Sequence, residues 1–152
     1  MNNSIIIDIQ KASKGQRSPS AALLKQWCAA ALKQQKIKHA ELCIRIVDEK
    51  ESAALNKQYR LKKGATNVLS FPSDTLPIPN PPLMGDLVVC STVVHREAGE
   101  QHKTQKAHWA HMVVHGCLHL LGYDHQKNRE AVEMEALEIK ILKQLGFDNP
   151  YN

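Results

Sequence analysis

A chain of 152 residues is long enough for one domain with its own core, since it buries roughly 68–70% of its unfolded surface. The formal net charge of +5 and the pI of about 9.1 favour an anionic partner without identifying one. No segment approaches the roughly 18 consecutive apolar residues of a membrane span, and no signal peptide is recognisable. We therefore expect residues 1–152 to form a single cytoplasmic domain that has no membrane contact.

The predicted elements follow from apolar periodicity and from residues typical of helix ends. In chain order they are a strand at Ile5–Ile9, a helix from Ser18 to Gln35, a strand at Glu41–Val47, a helix from Asp48 to Tyr59, strands at Asn67–Phe71 and Gly85–Cys90, and helices at Ser91–Glu100, Thr104–Leu121 and Gln126–Leu145. Ser18 before Pro19 is typical of a helix start, and Asp48 followed by Glu51 resembles a capping box. Strands with helices between and after them predict an α+β fold.

The helix Thr104–Leu121 is apolar nearly all round except for one stripe of histidines. At about 100° per residue, four side chains face within about 40° of one direction: His108, His111, His115 and His119. Such a helix is central and buried, with its polar strip facing a site. His111 either supports a metal ligand, carries a proton or is a hydrogen-bonded core histidine, and we expect His108 to lie nearer the surface.

The histidine spacing H-x3-H-x5-H is that of a catalytic zinc site. His115 and His119 are four residues apart, so both can point at one metal ion. Gly122 then provides a helix stop, after which the chain can bring back His125 as a third ligand. Three imidazoles leave one tetrahedral position open, which is the catalytic arrangement. Cys117 faces away, about 200° around the helix from His115.

One residue departs from the similarly spaced zinc-peptidase motif. That motif has a glutamate, the general base, directly after its first histidine, whereas this chain has Gly116. We expect Gly116 to leave space beside the metal for a bulky phosphodiester. The missing carboxylate disfavours amide hydrolysis, because the leaving amine needs a proton.

A longer pattern around these residues resembles a known family. The run H-G-x-L-H-L-x-G-Y-D-H begins at His115, and Tyr59-Arg60, the segment from Thr66 to Pro72 and Gly85-Asp86 precede it. Together they resemble the YbeY family, bacterial metal-dependent endoribonucleases of ribosomal RNA maturation. The resemblance extends from about Ile5 to Leu145.

The resemblance implies a fold, a cofactor and a reaction. The fold is a zincin-like α+β domain, in which helices pack against a four-stranded mixed sheet and the metal lies in a cleft. One Zn²⁺ per chain is bound by His115, His119 and His125, and Arg60 joins these histidines in catalysis. The reaction is single-strand-preferring cleavage of RNA in 16S maturation and ribosome quality control.

The implied partners are ribosomal RNA and the small ribosomal subunit, with ribosomal proteins or an assembly GTPase as further candidates. We expect Arg60, Lys62 and Lys63 to contact RNA, although such a run of cations also suits a solvated helix end. Asp124 is a candidate for orienting a ligand histidine. Two alternatives stay open, namely a metallopeptidase-like hydrolase and a non-catalytic ribosome-assembly factor with structural zinc.

Two further sets of side chains have a structural and a functional interpretation. The last helix has a row of carboxylates that predicts a solvated face, unless one turns inward to orient a ligand histidine: Glu130, Glu133, Glu135 and Glu138. Phe71 and Tyr123 are core residues or stacking partners for one base each.

The cysteines form no C-x-x-C pair, and their apolar neighbours predict buried free thiols: Cys28, Cys43, Cys90 and Cys117.

Overall fold

The computed structural model describes residues 4–15, 17–72, 83–123 and 128–152. Its elements are β1 (Ser4–Lys11), α1 (Ala21–Gln34), β2 (His39–Val47), α2 (Glu49–Arg60), β3 (Val68–Pro72), β4 (Leu83–Cys90), α3 (Ser91–Glu100), α4 (Gln105–Leu120) and α5 (Asn128–Gln144). Each predicted strand and helix is present, with ends that differ by a few residues. The predicted His125, Asp124 and Gln126 lie outside the described residues.

The four strands form one mixed sheet in the order β1-β2-β4-β3. β1, β2 and β4 are parallel, and β3 runs antiparallel to β4 at the edge. Ile7 pairs with Leu42, and Leu42 pairs with Gly85 on the next strand. The predicted α+β fold with a four-stranded mixed sheet is therefore confirmed.

Helix α4 is the centre of the packing. It contacts α1, α3 and α5 as well as β3 and β4. Most of its side chains are buried, including Trp109, Val113 and Leu118. They join the core residues of α1 and β2, among them Trp27 and Ile44. The prediction of a central, buried, histidine-bearing helix is confirmed, and the apolar surface that α4 buries is what fixes its position.

Two predicted helix starts differ in detail from the structure. The N-cap of α1 is Ser20 rather than Ser18, because the Ser20 side chain accepts a hydrogen bond from the Leu23 N–H at 3.2 Å. Asp48 does precede α2, but its carboxylate makes no capping bond. It accepts hydrogen bonds from the Ser13 hydroxyl and the Lys14 N–H instead, so it ties the chain after β1 to the start of α2.

The predicted helix stop at Gly122 is confirmed, and a second glycine ends the last helix. Gly122 has φ +100° just after α4, and Gly146 has φ +92° just after α5. At the end of α4, the Tyr123 N–H donates to the Leu118 carbonyl at 3.2 Å, which satisfies an otherwise open carbonyl of the last turn. A residue with a Cβ would be strained at either position.

Three of the four cysteines are buried as expected, and Cys43 differs. All four cysteines are free thiols; Cys28, Cys90 and Cys117 are buried, and Cys43 is half-buried. Within the part of the chain that the structure describes, no helix has the length and apolar character needed to cross a membrane.

Candidate metal centre and cleft

Two histidine rings of α4 converge at the surface of a cleft. The Nε2 atoms of His115 and His119 lie 3.1 Å apart, and the ring centroids lie 4.6 Å apart. Ligand nitrogens of tetrahedral zinc are separated by about 3.3–3.4 Å, given Zn–N bonds of about 2.0–2.1 Å. The spacing of these two nitrogens therefore fits a shared metal ion.

Glu138 of α5 orients the first of these histidines. The His115 Nδ1–H donates to Glu138 Oε1 at 3.2 Å, so the neutral ring carries its lone pair on Nε2, the atom that faces His119. A carboxylate that accepts from the far nitrogen of a ligand histidine is the usual support of a zinc site. Glu138 thus turns inward onto His115, whereas Glu133 and Glu135 are exposed. Its role in orienting a metal ligand stays a prediction.

The same carboxylate has two other partners. The His111 Nε2–H donates to Glu138 Oε1 at 2.6 Å, and the Tyr151 hydroxyl is 3.0 Å from each carboxylate oxygen. Burial raises the pKa of Glu138, but the hydrogen bonds from His111 and His115 outweigh burial and lower it to about 2. The ionised Glu138 therefore stabilises the fold at neutral pH, and this contribution is lost as the pH falls from about 4.5 towards 2.

His111, His115 and Glu138 could themselves hold a metal ion. Their donor atoms lie within 4.8 Å of one another. Nδ1 of His115 is the nitrogen that lies 3.2 Å from Glu138 Oε1, whereas Nε2 of the same ring faces His119. Burial lowers the pKa of His111 despite its carboxylate partner, so this ring is neutral at pH 7. The two arrangements are distinguishable by substitution at His111 and at His119.

The two converging rings open into a cleft of about 670 Å³. Its lining comes from the end of α2, from β3 and from α4: Tyr59, Arg60, residues 66–71, His115 and His119. β3 therefore flanks the cleft. Arg60 is the last residue of α2 and lies on the same cleft as both histidines, whereas Lys62 and Lys63 are exposed beyond it.

Buried polar side chains hold the chain between α2 and β3. The Asn56 side chain donates to the Gly64 carbonyl at 2.8 Å, and the Ser52 hydroxyl bonds to both the N–H and the carbonyl of Thr66. Leu61 takes a left-handed conformation with φ +56° and ends the helix directly after Arg60. These bonds fix the backbone that carries Arg60.

A second buried network fixes the start of β3. The His108 ring contacts Glu97 Oε1 at 2.9 Å, and the Asn67 amide donates to both oxygens of Glu97 at 3.1 and 3.3 Å. Burial raises the pKa of Glu97, but these hydrogen bonds outweigh burial and lower it. The expectation that His108 lies near the surface is wrong, because α3 covers it and leaves it 2% exposed.

The chain is similar to known proteins over most of its length. The family model described as "Endoribonuclease YbeY" matches residues 6–146. The chain belongs to the YbeY family. Curated relatives named "Endoribonuclease YbeY" include one from Stutzerimonas stutzeri, 55% identical, with 97% of this chain and 91% of the relative covered. A relative of the same name from Cellvibrio japonicus is 53% identical, with 96% and 82% covered.

A solved structure supports the fold. The solution structure of a Thermotoga maritima protein matches with a TM-score of 0.59 and 27% identity, and the match covers 90% of this chain and 87% of that one.

The family match ends at residue 146. Tyr151, which contacts Glu138, therefore lies beyond the part of this YbeY-family chain that the model matches.

The role expected for Gly116 is wrong. A Cβ at this position would lie 2.9 Å from Leu87 Cδ2 and 3.2 Å from Val68 Cγ2, so position 116 faces the sheet, and even a methyl group there would be crowded. The Ser70 hydroxyl also donates to the Gly116 carbonyl at 3.1 Å. Glycine here lets α4 approach β3 and β4 closely, and a glutamate would have to enter the core.

We expect Gly116→Ala to lower the thermal unfolding midpoint. Overpacking against Leu87 and Val68 costs about 1–3 kcal/mol, which offsets or exceeds the gain of about 1 kcal/mol for alanine over glycine in a helix. Gly99→Ala in α3 is the matched control, since nothing lies within 4 Å of its added Cβ. It should raise the midpoint or leave it unchanged. An equal rise in both variants would contradict the close approach of α4 to the sheet.

We expect Glu138→Gln to weaken zinc binding by about 10- to 100-fold, the usual effect of losing a partner that orients a ligand histidine. The measurement is zinc affinity in competition with a chelator. Glu135→Gln, the same substitution at an exposed position of α5, should leave the affinity unchanged. Equal affinities in the two variants would show that Glu138 does not support a metal ligand.

Tyr59 lines the cleft, a position that the sequence interpretation did not assign to it individually. It is 59% exposed at the end of α2 and contacts Phe71 edge to face. The available signal was an aromatic residue on the polar side of a helix next to a basic exit. Tyr123 is a core residue, as one of its two interpretations held, and its hydroxyl donates to Gln35 at 3.1 Å.

Proposed function

We propose that the chain is a zinc-dependent endoribonuclease that prefers single-stranded RNA and acts as one domain. Its place is the maturation of small-subunit 16S ribosomal RNA and the quality control of ribosomes in the cytoplasm. The observation that carries this proposal is the meeting of His115 Nε2, His119 Nε2 and Arg60 on one cleft of a YbeY-family chain.

Zinc is bound by His115, His119 and His125 in this proposal, and it would supply a Lewis acid and an activated water at neutral pH. The donor set fits, because two imidazole nitrogens converge and Glu138 accepts a hydrogen bond from the far nitrogen of His115. The assignment of His125 and Asp124 to this site rests on the sequence motif alone. His111 supports the site through Glu138.

Arg60 binds the phosphate of the RNA strand. Its guanidinium can donate two parallel hydrogen bonds to phosphate oxygens and offset the charge that develops on them. The backbone that carries it is already fixed by Asn56 and Ser52, so little further ordering is needed when RNA binds. Lys62 and Lys63 add attraction for RNA from outside the cleft.

Two observations favour a phosphodiester over an amide as the substrate. Glycine stands at position 116, where peptidases have their carboxylate, and an added Cβ there would be crowded by Leu87 and Val68. Among the described residues that line the cleft, none is an aspartate or glutamate, whereas Arg60 is a cation. The partners that follow from this function are ribosomal RNA and the small subunit, with ribosomal proteins or an assembly GTPase as further partners.

The test is a side-by-side assay of the zinc-loaded protein on a 16S-derived RNA with single-stranded segments and on a panel of quenched peptides. We expect cleavage within the single-stranded segments, loss of that cleavage with a chelator, and intact peptides. Chelator-sensitive peptide cleavage with intact RNA would contradict the proposal. Intact RNA and intact peptides, with zinc retained, would instead favour a structural metal.

A further inference from the structure

Tyr59 lies where two depressions of the surface meet. Tyr59 and Phe71 both line the cleft with His115 and His119, and both also line a neighbouring depression of about 560 Å³. Their ring centroids lie 5.1 Å apart with the planes at 72°. Phe71 packs against a small core cluster, so its position is fixed, and its ring supports the exposed Tyr59 ring through the edge-to-face contact.

Burial does not explain a tyrosine at this position. The buried residues of α2 are Ser52 and Asn56, and Tyr59 lies at its exposed end. The hydrogen bonds of Asn56 and Ser52 to the following loop hold this end of the helix in place. An exposed aromatic ring on a rigid support, beside the cation of the cleft, is the arrangement that binds an unstacked base.

We propose that Tyr59 stacks a nucleobase next to the phosphate that Arg60 binds, an inference that rests on the proposed function. The two residues are neighbours in sequence and line one cleft, as a base and an adjacent phosphate are neighbours in one strand. Stacking requires a base that is free of its duplex partner. A stacking platform beside the metal site therefore provides a physical reason for a preference for single-stranded RNA.

The ring rather than the hydroxyl carries this role. Every base has a π-face, so stacking on Tyr59 is tolerant of sequence and selects unpaired segments rather than a particular base. Tyr59→Phe keeps the ring and should retain cleavage, whereas Tyr59→Ala should lower kcat/KM by about 5- to 150-fold, the effect of losing one stacked base. Leu61→Ala is the matched control, since Leu61 is 89% exposed two residues further on.

The experiment measures kcat/KM of the zinc-loaded wild type and these three variants on a single-stranded RNA that is cleaved at one bond. Each nucleotide flanking that bond is replaced in turn by an abasic ribose. At one position we expect the abasic substitution to slow the wild type, Tyr59→Phe and Leu61→Ala by about 5- to 150-fold, and to leave the already slow Tyr59→Ala unchanged.

Three results would overturn the stacking role. They are a wild-type rate in Tyr59→Ala, a defect of equal size in Tyr59→Phe, or abasic penalties that are the same in Tyr59→Ala and the wild type at every position. If the zinc-loaded wild type leaves the RNA uncut, the proposed function fails, and the stacking role fails with it. Cleavage by the wild type together with any of the three results removes only the stacking role.

Discussion

His119→Ala should weaken zinc binding by more than about 100-fold, beyond the effect of removing a supporting partner of a ligand. The reason is the convergence of its Nε2 on that of His115, at a distance that fits ligands of one tetrahedral ion. The measurement is metal content after dialysis, together with zinc affinity in competition with a chelator.

Two variants on the same helix make this prediction specific. Cys117→Ser should keep its zinc, because Cys117 is buried on the far side, with its Sγ 3.0 Å from that of Cys28. His111→Ala separates the two possible metal arrangements. Zinc retained in His119→Ala but lost in His111→Ala would place the ion among His111, His115 and Glu138 instead.

Arg60→Glu should lower kcat/KM for RNA by about 10²- to 10³-fold or more, the usual effect of removing one group that stabilises developing charge. Arg60 is exposed at the end of α2, so the fold and the zinc content should not change. The slope of log binding constant against log salt concentration should also fall by about 0.7 for one lost phosphate contact on single-stranded RNA.

Lys57→Glu is the control for Arg60→Glu, because it makes the same charge change one turn earlier on an exposed position of α2. It should retain cleavage to within a few-fold. Equal losses in the two variants would mean that overall charge, and not a contact in the cleft, determines the effect. Unchanged activity in Arg60→Glu would mean that Arg60 is only a solvated cation at the end of α2.

The histidine helix could be predicted because residues close together in the sequence determine it. Spacing along one helix determines that His115 and His119 share a face, and Gly122 determines where the helix ends. The four strands were equally local, since each is a short apolar run bounded by turn residues. The order β1-β2-β4-β3 was not predictable, because strand pairing depends on contacts far apart in the sequence.

The predictions that were wrong or left open concern residues whose surroundings are set by a second element packed against their own. Four glutamates of α5 have similar local surroundings in the sequence, and only the packing of α5 on α4 brings Glu138 onto His111 and His115. His108 is buried because Glu97 of α3 reaches it, 11 residues away in the sequence. Gly116 is a packing residue because α4 lies directly on β3 and β4, and the motif cannot show which neighbour a glycine faces.

The most direct test of the metal site is a titration. The protein is stripped of metal with a chelator, dialysed, and supplied with zinc in steps while cleavage of a single-stranded RNA is followed. We predict no cleavage by the stripped protein, with activity rising linearly and levelling off at one zinc per chain. Full cleavage by the stripped protein, or activity that does not follow zinc occupancy, would contradict a catalytic metal at His115 and His119.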